Sequence, residues 1–194
     1  MKTLDMHKMR KQLAKALDTK RYEHTLGVAY TSAALAMRYG EDIQKAEIAG
    51  LLHDCAKCLD NDKRIQICKK NNIEITEAEQ QNPFLLHAKV GGYLANAKYK
   101  IEDEDIINAI CFHTTGRPGM SLLEKIVYIA DYIEPGRDHA ANLDEVRRLS
   151  FDDLDEALIQ ILEDVLAHLK SSKKEIDPMT QKTYEYYKRK QSEE

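Results

Sequence analysis

The chain has 194 residues, 43% hydrophobic and 32% charged, with a formal net charge of −4. That length predicts a single domain over 1–194, with its core over about 8–188 and a fraying tail over 189–194. The acidic balance argues against a general nucleic-acid binder. The lack of a long apolar run argues against a membrane helix, and the N-terminal stretch has no apolar core like that of a signal peptide. The expected compartment is the cytoplasm, where Cys55, Cys58, Cys68 and Cys111 are read as reduced thiols.

The elements in chain order read as helices. Strand signals are nearly absent: there is no Asn-Gly or Asp-Gly turn, and eight glycines and four prolines punctuate the chain. Leu4, Met9, Leu13 and Leu17 are near helical spacing and predict a helix over 5–17. An Ala-rich helix over 20–38 is closed by Gly40. Asp42 caps the next, which runs through Ile43, Ala46, Ala49, Gly50 and Leu52 into His53-Asp54 and on through Cys55 and Cys58. That CxxC raises zinc or redox chemistry, but it has no second CxxC and no βαβ setting. Small buried helix residues are the better reading.

A short charged helix follows over 62–71, then a capping box of Thr76 and Glu79. The helix over 84–98 carries His87 and a Gly91-Gly92 pair suited to close helix packing. The helix over 103–114 carries Ile106, Ile107, Ile110 and His113. Ser121 and Glu124 form a second capping box, opening a helix through Ile126, Ile129 and Ile133 that holds Asp131 and ends at Pro135-Gly136. Ser150 with Asp153 starts a long amphipathic helix to about 171, and Asp177-Pro178 opens the last helix.

His24, the doublet His53-Asp54, His87, His113 and Asp131 each fall on a helical stretch and are able to aim at one point. Four of the seven histidines belong to this series. Imidazole plus carboxylate without thiolate suits iron, manganese, zinc, cobalt or nickel, and a metal so held lowers the pKa of water and polarises a substrate oxygen. His24, His87 or His113 taken singly reads as an ordinary histidine. The doublet is stronger, because two polar groups ending the apolar run AGLLHD need a reason to be buried. Arg21, Lys57, Arg117 and Arg137 stand near the ligands, and cations beside a metal site favour phosphoester or phosphoanhydride hydrolysis. For Arg117 the solvated-surface reading weighs equally. His7, His139 and His168 fit no ligand segment and read as structural or surface residues.

The order H…HD…H…H…D on helices resembles the HD-domain superfamily of metal-dependent phosphohydrolases, an all-α helical bundle with its metal site between helices. The strings RYEHTLGV, AGLLHDCAK, HAKVGG and FHTTGRPGMSLLEKIVYIADYIEPGR resemble the YqeK family of bacterial symmetrical diadenosine tetraphosphatases. The resemblance implies hydrolysis of diadenosine tetraphosphate to two ADP with one or two metal ions, iron first, with manganese, cobalt, nickel, zinc or magnesium as alternatives. It implies His24, His53, Asp54 and Asp131 as metal ligands, and His87 and His113 as ligands of a second metal or phosphate contacts. Asp54, His87 and His113 carry the catalytic roles, one of the two histidines serving as acid or electrostatic stabiliser. Arg21, Lys57, Thr114 and Arg137 join His87 and His113 around the phosphates, and the stretch near Asp177-Pro178 and Tyr184 closes over the adenosine. The partners are the dinucleotide and its ADP product, with no nucleic acid or membrane, and a homodimer is allowed. Two alternatives stand: another HD nucleotide hydrolase, acting on ppGpp, a dNTP, a nucleoside monophosphate or a cyclic nucleotide, and a non-catalytic nucleotide-sensing HD domain.

Overall fold

The computed structural model describes residues 5–138, 140, 142–172 and 177–193, and among them it is helical with no strand. The helices are α1 (Met6–Ala16), α2 (Thr19–Tyr39), α3 (Ile43–Leu52), α4 (Asn61–Lys70), α5 (Glu77–Gln81), α6 (His87–Ala97), α7 (Glu104–Phe112), α8 (Leu122–Ile133), α9 (Leu143–Asp152), α10 (Leu154–Ser171) and α11 (Pro178–Glu193). A 3₁₀ turn over Pro83–Leu86 leads into α6. No helix among the described residues is long and apolar enough to cross a membrane.

Local chemistry sets most boundaries. Asp18, Asp42 and Asp60 cap α2, α3 and α4 by accepting backbone N–H bonds from Arg21, Lys45 and Lys63. Both expected capping boxes form, at Thr76–Glu79 and Ser121–Glu124. Gly40 ends α2 with φ 76, the left-handed conformation that a glycine adopts without strain.

The core lies where α2 packs on α3 and α8, and α3 on α7 and α8. Leu35, Ile48, Leu51, Ile110, Ile126 and Ile129 are fully buried there, each stabilising the fold by about 1.5–3 kcal/mol. The Gly91-Gly92 pair does bring α6 close to its neighbours. A Cβ on Gly91 would lie 3.3 Å from the His53 carbonyl oxygen, and one on Gly92 would collide with Cys111 Sγ. The ends of α3 and α7 and the start of α6 therefore meet at one place.

Three local expectations are corrected. The helix carrying the doublet stops at Leu52. Tight turns continue it, with N–H bonds from Cys55 to the Leu52 carbonyl (3.0 Å), Lys57 to Asp54 (2.9 Å) and Leu59 to Ala56 (3.2 Å). His53 Nδ1–H donates to the Gly50 carbonyl at 2.7 Å, so the imidazole takes an acceptor that the helix end leaves open. The CxxC therefore lies in a turn, with Cys55 buried and Cys58 exposed, rather than as two buried helix residues. Ser150 is no cap. It lies inside α9, bonding the Val146 carbonyl at 2.7 Å, while Asp153 alone caps α10 by accepting from the Asp155 and Glu156 N–H groups. At the end of the chain α11 runs to Glu193, and Gln191 donates to Glu156.

Candidate metal and phosphate site

Five segments converge on a buried cluster. His24 comes from the second turn of α2 and Asp131 from the last turns of α8. His53 and Asp54 sit just past α3, His113 just past α7, and His87 begins α6. His24 Nε2 lies 3.0 Å from Asp131 Oδ1 and 4.0 Å from Asp54 Oδ2. His53 Nε2 is 3.5 Å from Asp54 Oδ2 and 3.8 Å from Asp131 Oδ1. The other Asp54 oxygen, Oδ1, is 3.4 Å from the Nε2 atoms of both His87 and His113. Asp54 thus turns one oxygen to each pair of histidines.

The protonation of the rings follows from their other nitrogens. His53, His87 and His113 each place Nδ1 2.7 Å from the carbonyl oxygen three residues earlier, of Gly50, Phe84 and Ile110. A carbonyl only accepts, so Nδ1 carries the proton and, in the neutral ring, Nε2 presents a lone pair to the cluster. His24 Nδ1 is likewise committed, at 3.0 Å, to Glu134 Oε1. A histidine backed by a carboxylate or carbonyl is the arrangement that orients a metal ligand.

Fit to a metal is tested by what these atoms lack. His24 Nε2, His53 Nε2 and Asp54 Oδ1 are buried without a hydrogen-bond partner, which costs folding free energy unless something binds them. The lone-pair atoms of His87 and His113 face each other at 3.2 Å. His24, His53 and Asp131 offer ligand atoms within 4.8 Å of one another, as do His53, Asp54 and His113. The donor set suits a divalent cation that accepts imidazole and carboxylate.

Charge supports the same assignment. Burial pushes the Asp54 carboxyl upward, but the imidazoles of His53 and His113 and the Lys57 ammonium outweigh it and hold it well below the usual carboxylate range. Burial acts the same way on Asp131, where His24, His53 and Arg137 win. Burial and the Lys57 ammonium push His87 well below its ordinary value. That direction favours the neutral imidazole, which suits a ligand.

Of the four cations, three reach the site. Arg21 Nη1 is 2.8 Å from Asp54 Oδ2. Lys57 Nζ is 2.9 Å from His87 Nε2 and 3.5 Å from Asp54 Oδ1. Arg137 holds Asp131 through both its carbonyl, at 2.9 Å, and its carboxylate. Arg117 does not join them: its guanidinium pairs with the buried Glu124 at 2.7 Å and lies over the Phe112 ring. Thr114 Oγ1 is 3.2 Å from Nε2 of both His87 and His113. His139 lies outside the described residues.

A cavity of about 540 Å³ adjoins the cluster. Lys57, Thr114, Asp131 and Arg137 form its polar side, and Tyr132, Ile161 and Val165 of α8 and α10 part of the other, with the exposed His168 also on its lining. Tyr184 is not among its lining residues; its hydroxyl bonds Glu163 of α10 at 2.9 Å.

The residue that sequence reasoning missed is Glu134. It is 3% exposed, bonds His24, and accepts the Gly136 N–H at 2.6 Å. A Cβ on Gly27, one turn beyond His24, would overlap its carboxylate. The one available signal was a glycine and an acid in the two strings that also carry His24 and Asp131.

The HD domain model matches residues 21–136. The chain is 44% identical over 170 residues to the symmetrical bis(5'-nucleosyl)-tetraphosphatase of Bacillus subtilis, covering 88% of this chain and 90% of that one. The chain belongs to the HD-domain family, among the symmetrical bis(5'-nucleosyl)-tetraphosphatases. The protein of that name from Staphylococcus aureus is 39% identical over 154 residues, 78% of each chain. The crystal structure of a predicted HD superfamily hydrolase involved in NAD metabolism, from Clostridium acetobutylicum, is similar over 96% of this chain and 98% of that one, with TM-score 0.93 and 43% identity. The all-α HD fold and the histidine–aspartate cluster expected of this family are therefore both present.

Proposed function

We propose that this chain hydrolyses diadenosine tetraphosphate symmetrically, giving two ADP. The observation that carries the proposal is the convergence of buried, unpartnered ligand atoms on one point, with Arg21, Lys57 and Arg137 around it and a cavity beside it. His24, His53, Asp54 and Asp131 would hold the first metal. The division of the Asp54 oxygens between two histidine pairs supports a second position at His87 and His113. Iron is the metal we propose, as the family resemblance implies; the imidazole and carboxylate set without thiolate suits manganese, zinc, cobalt or nickel as well. Bound there, it would supply the Lewis acidity that activates water and polarises a phosphoryl oxygen.

The protein's own groups do the rest. A guanidinium has five N–H donors, so the contacts of Arg21 and Arg137 to Asp54 and Asp131 leave donors for phosphate oxygens. Lys57 and Thr114 add donors at the cavity's polar side. Fixed cations stabilise the charge that spreads over the phosphoryl oxygens as water attacks a central phosphorus. The new P–O bond comes from water, the central anhydride P–O bond breaks, and both halves leave as ADP. The apolar face from α8 and α10 takes one nucleoside, which sets the register. The reaction is placed in the cytoplasm, in keeping with four free thiols.

Product analysis tests the proposal. Anaerobically purified protein, with its metal content measured, should convert diadenosine tetraphosphate to ADP as the sole nucleotide in a single turnover. ATP with AMP would refute the register, because attack one phosphate away is a different in-line geometry. No turnover with iron, manganese, cobalt, nickel, zinc or magnesium would return the protein to a panel of ppGpp, dNTPs and nucleoside monophosphates, or to a sensing role.

A further inference from the structure

Phe84 stands at the edge of the site, and nothing in the reaction above uses it. It lies in the 3₁₀ turn before α6 and is 45% exposed, while its neighbour Leu86 is fully buried. Its ring centroid is 5.3 Å from that of His87, and its carbonyl receives the His87 Nδ1–H. Lys57 Nζ is 4.6 Å from the ring centroid and the Arg64 guanidinium carbon 5.3 Å from it. Arg64 is buried and held by the carbonyls of Ala56 and Lys57 and by Asn61. The ring therefore rests on fixed cations. Even so, at 45% exposure much of the ring remains open to solvent.

We propose that the exposed ring of Phe84 stacks the purine base of the second nucleoside, the one outside the cavity between α8 and α10. The inference rests on the dinucleotide reading and deepens it. The substrate has two bases, and the cavity described above takes one. Phe84 is not on that cavity's lining, whereas Lys57 is. Lys57 thus stands between the cavity and the ring, where a phosphate chain crossing the metal cluster leads the far nucleoside. Stacking needs only a π-face, and cations against the ring draw electron density from it toward themselves, which favours an electron-rich purine as its partner.

The test compares two ligands that carry four phosphates but differ in one base: diadenosine tetraphosphate as substrate and adenosine 5'-tetraphosphate as competitive inhibitor. Phe84→Ala and Phe84→Leu, the second keeping apolar bulk without the π-face, should each raise the KM for the dinucleotide about tenfold. The inhibition constant of the one-base ligand should stay the same, and Phe84→Tyr should keep the unaltered KM. Equal changes for both ligands would overturn the proposal, because the ring would then act only through Lys57 and His87. So would no change for either. Failure of the unaltered protein to turn over the dinucleotide would overturn the hydrolase reading and this inference together, and it shows before any variant is made.

Discussion

His24 and Glu134, 110 residues apart in the chain, are joined by a 3.0 Å bond from imidazole Nδ1 to carboxylate. This contact fixes the ring so that Nε2 faces Asp131 and Asp54. Loss of such a partner typically costs about ten- to a hundredfold in metal affinity. Glu134→Ala should show that loss in a chelator competition assay. Gly27→Ala should reproduce it, since the added methyl takes the space of the carboxylate. The double variant should be no worse than either single one. Independent, additive losses would show that Gly27 and Glu134 do not act through the same ring.

Asp54→Ala should remove both metal retention and hydrolysis while circular dichroism stays helical. One oxygen of this side chain faces His24 and His53, the other His87 and His113. Among the described residues, no other carboxylate pairs with all four histidines. If two metals bind, their stoichiometry should fall together rather than one at a time. A variant keeping one metal at full occupancy would count against Asp54 serving both positions.

The metal cluster was legible in the chain because its residue types are costly to bury for any other purpose, and His53-Asp54 closes an apolar run. What was not legible depended on distant contacts. Glu134 follows a helix and reads locally as a solvated charge; only the fold brings it to His24. The turn at 53–59 follows small residues that would also continue a helix, and it forms where the His53 ring takes a backbone acceptor. Helix α9 buries only Leu143, Val146 and Ser150, too short an apolar stripe among charges to stand out. Arg117 and Arg137 both follow a ligand within a few residues, and nothing local tells the one paired with Glu124 from the one on Asp131.

That last pair makes a kinetic contrast. Arg137→Ala should lower kcat/KM about ten- to a hundredfold, from the loss of a charge-assisted contact worth about 1.5–3 kcal/mol. Metal content should be retained. Arg117→Ala should leave kcat/KM near that of the unaltered protein and instead lower stability by about 1–3 kcal/mol, because the buried Glu124 loses its cation. Urea unfolding and steady-state kinetics on both variants separate the roles. An Arg117 variant of normal stability but impaired turnover would return that residue to the phosphates.

Thiol chemistry gives a prediction independent of the metal. Burial pushes the Cys55 thiol up to about 12 and the Cys111 thiol up to about 11. At pH 8 both therefore stay protonated in the native state, and a protonated buried thiol is a poor nucleophile. Cys58, three residues from Cys55, is exposed. Reaction of native protein with an aromatic disulfide reagent at pH 8 should show one fast thiol, and Cys58→Ser should abolish that phase. Raising the pH from 8 to 9 should not speed Cys55, because burial holds its thiol well above the ordinary range. Unfolding in urea should release all four thiols at once. A fast native phase that survives Cys58→Ser would mean that the turn after α3 opens to solvent, and with it the backbone that carries His53 and Asp54.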